Sequence, residues 1–157
     1  MKIKEICSRV VVVVEPATDL REAARQMRDH HVGSLLVVDK RDGVTRPIGI
    51  VTDRDIVVAV VAPENVEPES LTVSDLMAGE LALADEDDGV FEAVDRMQDS
   101  GARRLPVVDD DGRLVGILSL DDVLRMLASE LTALSLASQR SMTREARTRP
   151  ALTGRAA

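Results

Sequence analysis

Residues 18–39, TDLREAARQMRDHHVGSLLVVD, can be set over residues 88–109, DGVFEAVDRMQDSGARRLPVVD, without a gap. Glu22, Ala23, Met27, Asp29, Leu35, Val37, Val38 and Asp39 then fall on identical residues 70 positions later. A second echo follows: GIVTDRDI, Gly49 to Ile56, returns as GILSLDDV, Gly116 to Val123. Its offset is 67, because the first copy carries a longer loop, KRDGVTRP, where the second has DDGR. A chain duplicated in this way folds as two like units. A copy of roughly 60 residues buries too little surface for comfortable stability, so the two are expected to share one core.

Each copy predicts the same elements. Leu20, Ala23, Ala24 and Met27 in the first, and Val90, Ala93, Val94 and Met97 in the second, follow the i, i+3, i+4, i+7 spacing of a helix with one buried face. A short apolar strand comes next, Leu35 to Val38 or Leu105 to Val108. An Asp-Gly turn and a second strand, Ile48 to Val51 or Leu114 to Leu118, complete a hairpin. The repeated phrase then opens another helix. Ahead of the first helix, Val10 to Val14 read as a strand, with a weaker counterpart at Leu81 to Ala84. The order is strand, helix, strand, strand, helix, twice, a mixed α/β class. Between the copies APENVEPESLTVSDLM reads as a linker leading into a helical turn at Ser74 to Met77.

Composition excludes several functions. Phe91 is the only aromatic residue, which leaves no platform of rings on which single-stranded bases could stack. The net charge of -8 opposes non-specific attraction to a polyanion. Cys7 is the sole cysteine, so no disulfide can close within the chain. The start MKIKEICSRV lacks the apolar region of a secretion signal, and the apolar run Val10 to Val14 is too short to span a bilayer. A soluble, cytoplasmic protein without nucleic-acid or membrane partners is expected. No nucleophile elbow, P-loop or dinucleotide fingerprint occurs, and the acid run ADEDDG (84–89) has no EF-hand spacing and suits a solvated helix start. DDDG (109–112) reads as a turn, and the adjacent His30 and His31 as a surface pair. No catalytic residue and no metal site are expected.

The phrase itself admits two chemistries. Thr52-x-x-Asp55 and Ser119-x-x-Asp122 both match a capping box, in which a hydroxyl caps a helix and an acid three residues on returns the bond. Equally, a helix starting right after a strand offers free N–H groups and a positive dipole end to a phosphate. The hydroxyl could add a donor there, while the acid could accept from a sugar's two hydroxyls.

The whole pattern resembles the CBS domain, and its two copies a Bateman module, over roughly residues 1 to 133. EAARQM, GSLLVVD and GIVTDRDI in copy one, with EAVDRM, RRLPVVD and GILSLDDV in copy two, carry the likeness. The resemblance implies two pseudo-twofold repeats packed through their sheets, with clefts that take AMP, ADP, ATP or S-adenosylmethionine as exchangeable ligands. It implies that Thr52 and Ser119 meet phosphate and that Asp55 and Asp122 meet ribose. Arg104 precedes the strand leucine of copy two, where some relatives place a phosphate-contacting base, but copy one has Ser34 there. The two clefts are therefore expected to differ, Arg54 being a replacement cation for copy one. Val12, Ile48 and Val115 are the aliphatics that would sandwich adenine.

The sequence divides into repeat 1 (1–66), repeat 2 (67–133) and a tail (134–157) that carries net +4 and leaves -12 for the rest. That composition suits a flexible or marginally helical segment. Leu120, Leu124, Leu127, Leu131 and Leu134 recur at alternating spacings of four and three, a seam suited to a dimer contact. The resulting expectation is a homodimeric, non-catalytic sensor of adenosyl ligands that signals to an unidentified regulated protein. The alternative is a structural dimerisation module in which the phrase only caps helices.

Overall fold

The structure is a computed structural model and describes residues 1–77 and 79–148, with side chains through Glu145. Two compact units divide the chain, the first spanning Met1–Leu120 and the second starting at Asp121.

The first unit contains two three-stranded sheets built to one plan. In the first copy β1 (Val13–Val14) runs parallel to β2 (Ser34–Arg41), which pairs antiparallel with β3 (Val44–Thr52). Helix α1 (Leu20–His30) joins β1 to β2 as a crossover. After β3 come α2 (Asp53–Ile56) and a π-helical turn at Val57–Val61. The second copy repeats the plan with β4 (Ala84–Asp85), α4 (Val90–Ser100), β5 (Arg104–Val108) and β6 (Leu114–Ser119), after a short α3 (Val73–Leu76). Even the irregularities match. The ladder shifts register between Val37 and Val38 in one sheet and between Val107 and Val108 in the other, and Gly49 and Gly116 stand opposite the valine where each shift begins.

The predicted helix faces are the buried ones. Leu20, Ala23 and Met27 pack with Leu35, Val37 and Val51 into the first copy's core, and Val90, Ala93, Met97, Leu105, Val107 and Leu118 are buried at the corresponding places of the second. Strand β2 does not alternate between buried and open faces: Leu36 and Val38 are as buried as Leu35 and Val37. One face of β2 meets α1, and the other is closed off as two sheets packed together require; β3 and β6 are in contact.

Three expectations need correction. KRDGVTRP is not a loop, because Asp42 and Gly43 both adopt positive φ (54° and 75°). That geometry makes a two-residue turn whose twist matches the strands, so the ladder continues out to Arg41 and Val44. The strands expected at 10–14 and 81–84 shrink to Val13–Val14 and Ala84–Asp85. The acids at 84–89 are not merely solvated, since Asp87 holds Lys2 and Lys4 at 2.7 Å each and Glu86 pairs with Arg9 at 3.2 Å.

Those ion pairs belong to an exchange that the sequence did not announce. The N-terminal turn Ile3–Glu5 docks on the second copy: Ile3 N–H donates to Asp88 O, Lys4 N–H to Glu86 O, and Ser8 bridges Ile117 through both backbone bonds. The segment before the second copy docks on the first in the same way. Leu20 N–H donates to Leu71 O, Val73 N–H to Thr18 O and Ser74 N–H to Pro16 O. Ile3 and Val73, 70 residues apart, are both fully buried. Each copy is thus closed by the leading segment of the other.

Helix α5 (Leu120–Thr148) begins at Leu120 and forms the described part of the second unit. Of the leucine seam, Leu124, Leu131 and Leu134 are exposed (55, 67 and 66%). The tail is helical through Thr148, and residues 149–157 lie outside the described residues. Among the described residues no helix is long and apolar enough to cross a membrane.

Candidate functional site

A cavity of about 120 Å³ lies in the first unit between elements of both copies. Ile48, Gly49 and Ile50 of β3 form one wall, while Glu80, Leu81 and Ala82 ahead of β4 form another. Ser100, Ala102 and Arg104 close it at the corner between α4 and β5. Arg104 and Glu80 give it one charge of each sign. Of the sequence candidates, Ile48 and Arg104 meet here. Arg104 opens β5 directly across the ladder from Ser119, the last residue of β6, just as Ser34 stands opposite Thr52.

Gly49 and Gly116 answer for their place in the phrase through close approach. A Cβ on Gly49 would lie 2.7 Å from Met77 Cε, and one on Gly116 would lie 2.7 Å from the Ser8 carbonyl oxygen. Each glycine is where the exchanged leading segment crosses the opposite copy's strand. This crossing, absent from any one-copy view of the chain, was missed by sequence, although the 70-residue offset extended upstream places Cys7 over Met77 and Arg9 over Gly79.

Thr52 and Asp55 form a closed capping box. Thr52 N–H and its hydroxyl both donate to Asp55 Oδ2 (2.8 and 2.7 Å), and Asp55 N–H donates back to Thr52 Oγ1 at 3.2 Å. The box uses Oδ2 alone among the carboxylate oxygens. It also commits the hydroxyl proton of Thr52, which a phosphate would have to attract away. A further Thr-x-x-Asp, Thr72 to Asp75, makes the acid half of the same box at the start of α3, the Thr72 N–H and hydroxyl both donating to Asp75 Oδ2 (2.7 and 2.8 Å), while Asp75 N–H donates to the Thr72 carbonyl. The hydrogen bonds from the Thr72 backbone and hydroxyl lower the Asp75 pKa. Capping alone therefore does not set the repeated phrase apart; the neighbouring glycine crossing and cavity do. Ser119 ends β6 in the first unit, and Asp122 lies in the second, where it pairs with Arg125 at 3.1 Å.

The remaining candidates disperse. Arg54 is exposed on α2. Val12 is partly buried against the first core, and its carbonyl accepts from Leu36 N–H. Val115, counterpart of Ile48, is half-buried and its carbonyl accepts from Arg9 Nη1 at 3.1 Å. Among the described residues no three His, Cys, Asp or Glu side chains gather as a metal site would require.

The CBS domain model matches the chain twice, over residues 3–62 and 73–129. The chain belongs to the CBS domain family. An uncharacterised protein of Methanopyrus kandleri is 38% identical over 126 residues, covering 80% of this CBS pair but 62% of the relative's own length. Hypoxic response protein 1 of Mycobacterium tuberculosis is 32% identical over 124 residues, 79% of this chain and 83% of that one. A crystal structure of Hypoxic Response Protein I, with two coordinated zinc ions, superposes with a TM-score of 0.68 at 30% identity, covering 80% of this chain and 98% of that one. A CBS domain pair in complex with 5′-methylthioadenosine and S-adenosyl-L-methionine superposes at 0.70 with 28% identity, covering 83% and 98%.

Proposed function

We propose that the chain is a non-catalytic regulatory module whose two CBS repeats take an adenosyl ligand in the clefts between them and pass occupancy to a partner protein. The observation that carries this is the cavity bounded by both repeats, with Arg104 at its corner and Ile48 on its wall. The related CBS pair that holds methylthioadenosine and S-adenosylmethionine supports the adenosyl class.

In this proposal repeat 1 spans 1–66, repeat 2 spans 67–133, and 134–157 is an appendage. Asp55 and Asp122 accept from ribose hydroxyls, Asp55 through the Oδ1 that its cap does not use. Thr52 and Ser119 turn towards phosphate, Arg104 balances its charge with Arg54 as the first repeat's candidate cation, and Val12, Ile48 and Val115 flank adenine. AMP, ADP, ATP and S-adenosylmethionine share the adenosine that the aspartates and aliphatics would hold. Signalling requires that the ligand bind one conformation more tightly than another. A homodimer is part of the proposal, supported by the uncovered leucines of α5 and by exposed Val57, Val58 and Val61.

Thermal unfolding followed by far-UV circular dichroism, with AMP, ADP, ATP, S-adenosylmethionine and GTP added in turn, tests the reading. A ligand at about a hundred times its Kd adds roughly 2.7 kcal/mol to the folded state, seen as a raised midpoint. Asp55→Asn should reduce that rise. The closed cap at Thr52 and Asp55 favours one competing reading, a structural dimerisation module; unchanged midpoints with every compound would select it.

A further inference from the structure

The two copies place their arginines at different positions of the repeat. At an offset of 70, Ser34 of the first copy corresponds to Arg104 of the second, and Arg9 corresponds to Gly79; at 67, Ile48 corresponds to Val115. Ile48, Gly79 and Arg104 all line the described cavity. The mirrored positions, Val115, Arg9 and Ser34, hold the arginine on the crossing segment instead of at the head of the strand. The structure holds that arginine beside Val115, the counterpart of Ile48: Arg9 Nη1 donates to Val115 O at 3.1 Å, while Nη2 pairs with Glu86 at 3.2 Å. Arg9 is half exposed, and Val10 beside it is 85% exposed, so an anion can reach the guanidinium from solvent.

We infer that Arg9 is an anion-binding residue of the cleft on the Ser34 side, and that Glu86 is its internal competitor. The inference rests on the proposed occupancy of the clefts by adenosyl ligands. A phosphate arriving there takes the Nη2 donor from Glu86, while Nη1 stays on the Val115 carbonyl. Lys2 and Lys4 hold the segment independently through Asp87, so the exchange moves one side chain without releasing the N-terminus. The pair of clefts then presents a phosphate with arginine from two different directions, which makes them unequal for ligands of different charge.

Isothermal titration of the full chain with ATP and, separately, with adenosine decides the matter. Arg9→Ala should weaken ATP binding at one of two sites by about tenfold, the scale of one charge-assisted hydrogen bond, and leave adenosine unchanged. Arg104→Ala should do the same at the other site. Glu86→Gln, which keeps the Asp87 anchors, should tighten ATP at the site that Arg9→Ala weakens. ATP binding unaltered by Arg9→Ala while Arg104→Ala weakens it overturns the inference and retains the proposed function. Equal loss of ATP and adenosine on Arg9→Ala also overturns it, because adenosine has no phosphate. Failure of wild-type chain to bind either compound sinks the inference together with the function on which it rests.

Discussion

Gly49 and Gly116 hold the same position in the phrase, yet they meet different neighbours. Met77 ends in a flexible thioether that can move from a new methyl group, whereas the Ser8 carbonyl is backbone, accepting from Ile117 N–H while the Ser8 N–H donates to Ile117 O. Gly116→Ala should therefore cost about 1–3 kcal/mol, the range for overpacking, and Gly49→Ala should cost less. Denaturant midpoints of the two variants check this order, and equal losses would show that the Ser8 crossing yields as easily as a side chain. The same comparison of like positions separates Thr52 from Thr72. Both hydroxyls donate to an aspartate three residues on, but only Thr52 follows a strand crossed by the exchanged segment.

Among the elements, the N-terminal turn depends most on charge. Hydrogen bonds from Lys2 and Lys4 hold the Asp87 carboxyl down to about 2, against an ordinary aspartate value of about 3.9. A depressed folded-state pKa contributes stability that is present above the unfolded value and lost as pH falls through the folded one. Lys4 is raised in turn by Asp87, so its contribution disappears only as pH rises through that raised value. Docking of residues 2–8 should accordingly weaken between about pH 4 and pH 2, seen as faster hydrogen exchange at the Ile3, Lys4 and Ser8 amides. Asp87→Asn should remove that acid step. A step that persists in the variant would assign it to other carboxylates. Ile3, fully buried in the same turn, does not titrate and should keep part of the docking at low pH.

For the whole molecule, the uncovered seam of α5 makes association the informative quantity. Leu124, Leu131 and Leu134 are exposed along a helix of 29 residues, and isolated amphipathic helices derive most of their stability from packing. Sedimentation equilibrium should give twice the 17.0 kDa chain mass, and Leu131→Glu should shift the population towards monomer. An unchanged mass in the variant would move the contact elsewhere, with exposed Val57, Val58 and Val61 as the next surface to substitute.

The duplication, the helix faces at Leu20–Met27 and Val90–Met97, and the hairpins were legible because they rest on local periodicity and on residues repeated at one offset. Membership of the CBS family was legible for the same reason. The exchange of leading segments was not, since Ile3 and Val73 match only as apolar residues and their docking partners lie far along the chain. Nor could composition tell a loop from the extended hairpin at Asp42–Gly43, whose backbone dihedrals decide it. Sequence alone thus determined which residues form each copy's core and which phrase repeats. Tertiary structure decided which copy each leading segment closes and which residues line the cavity between the copies, because those depend on contacts between residues that no local pattern links.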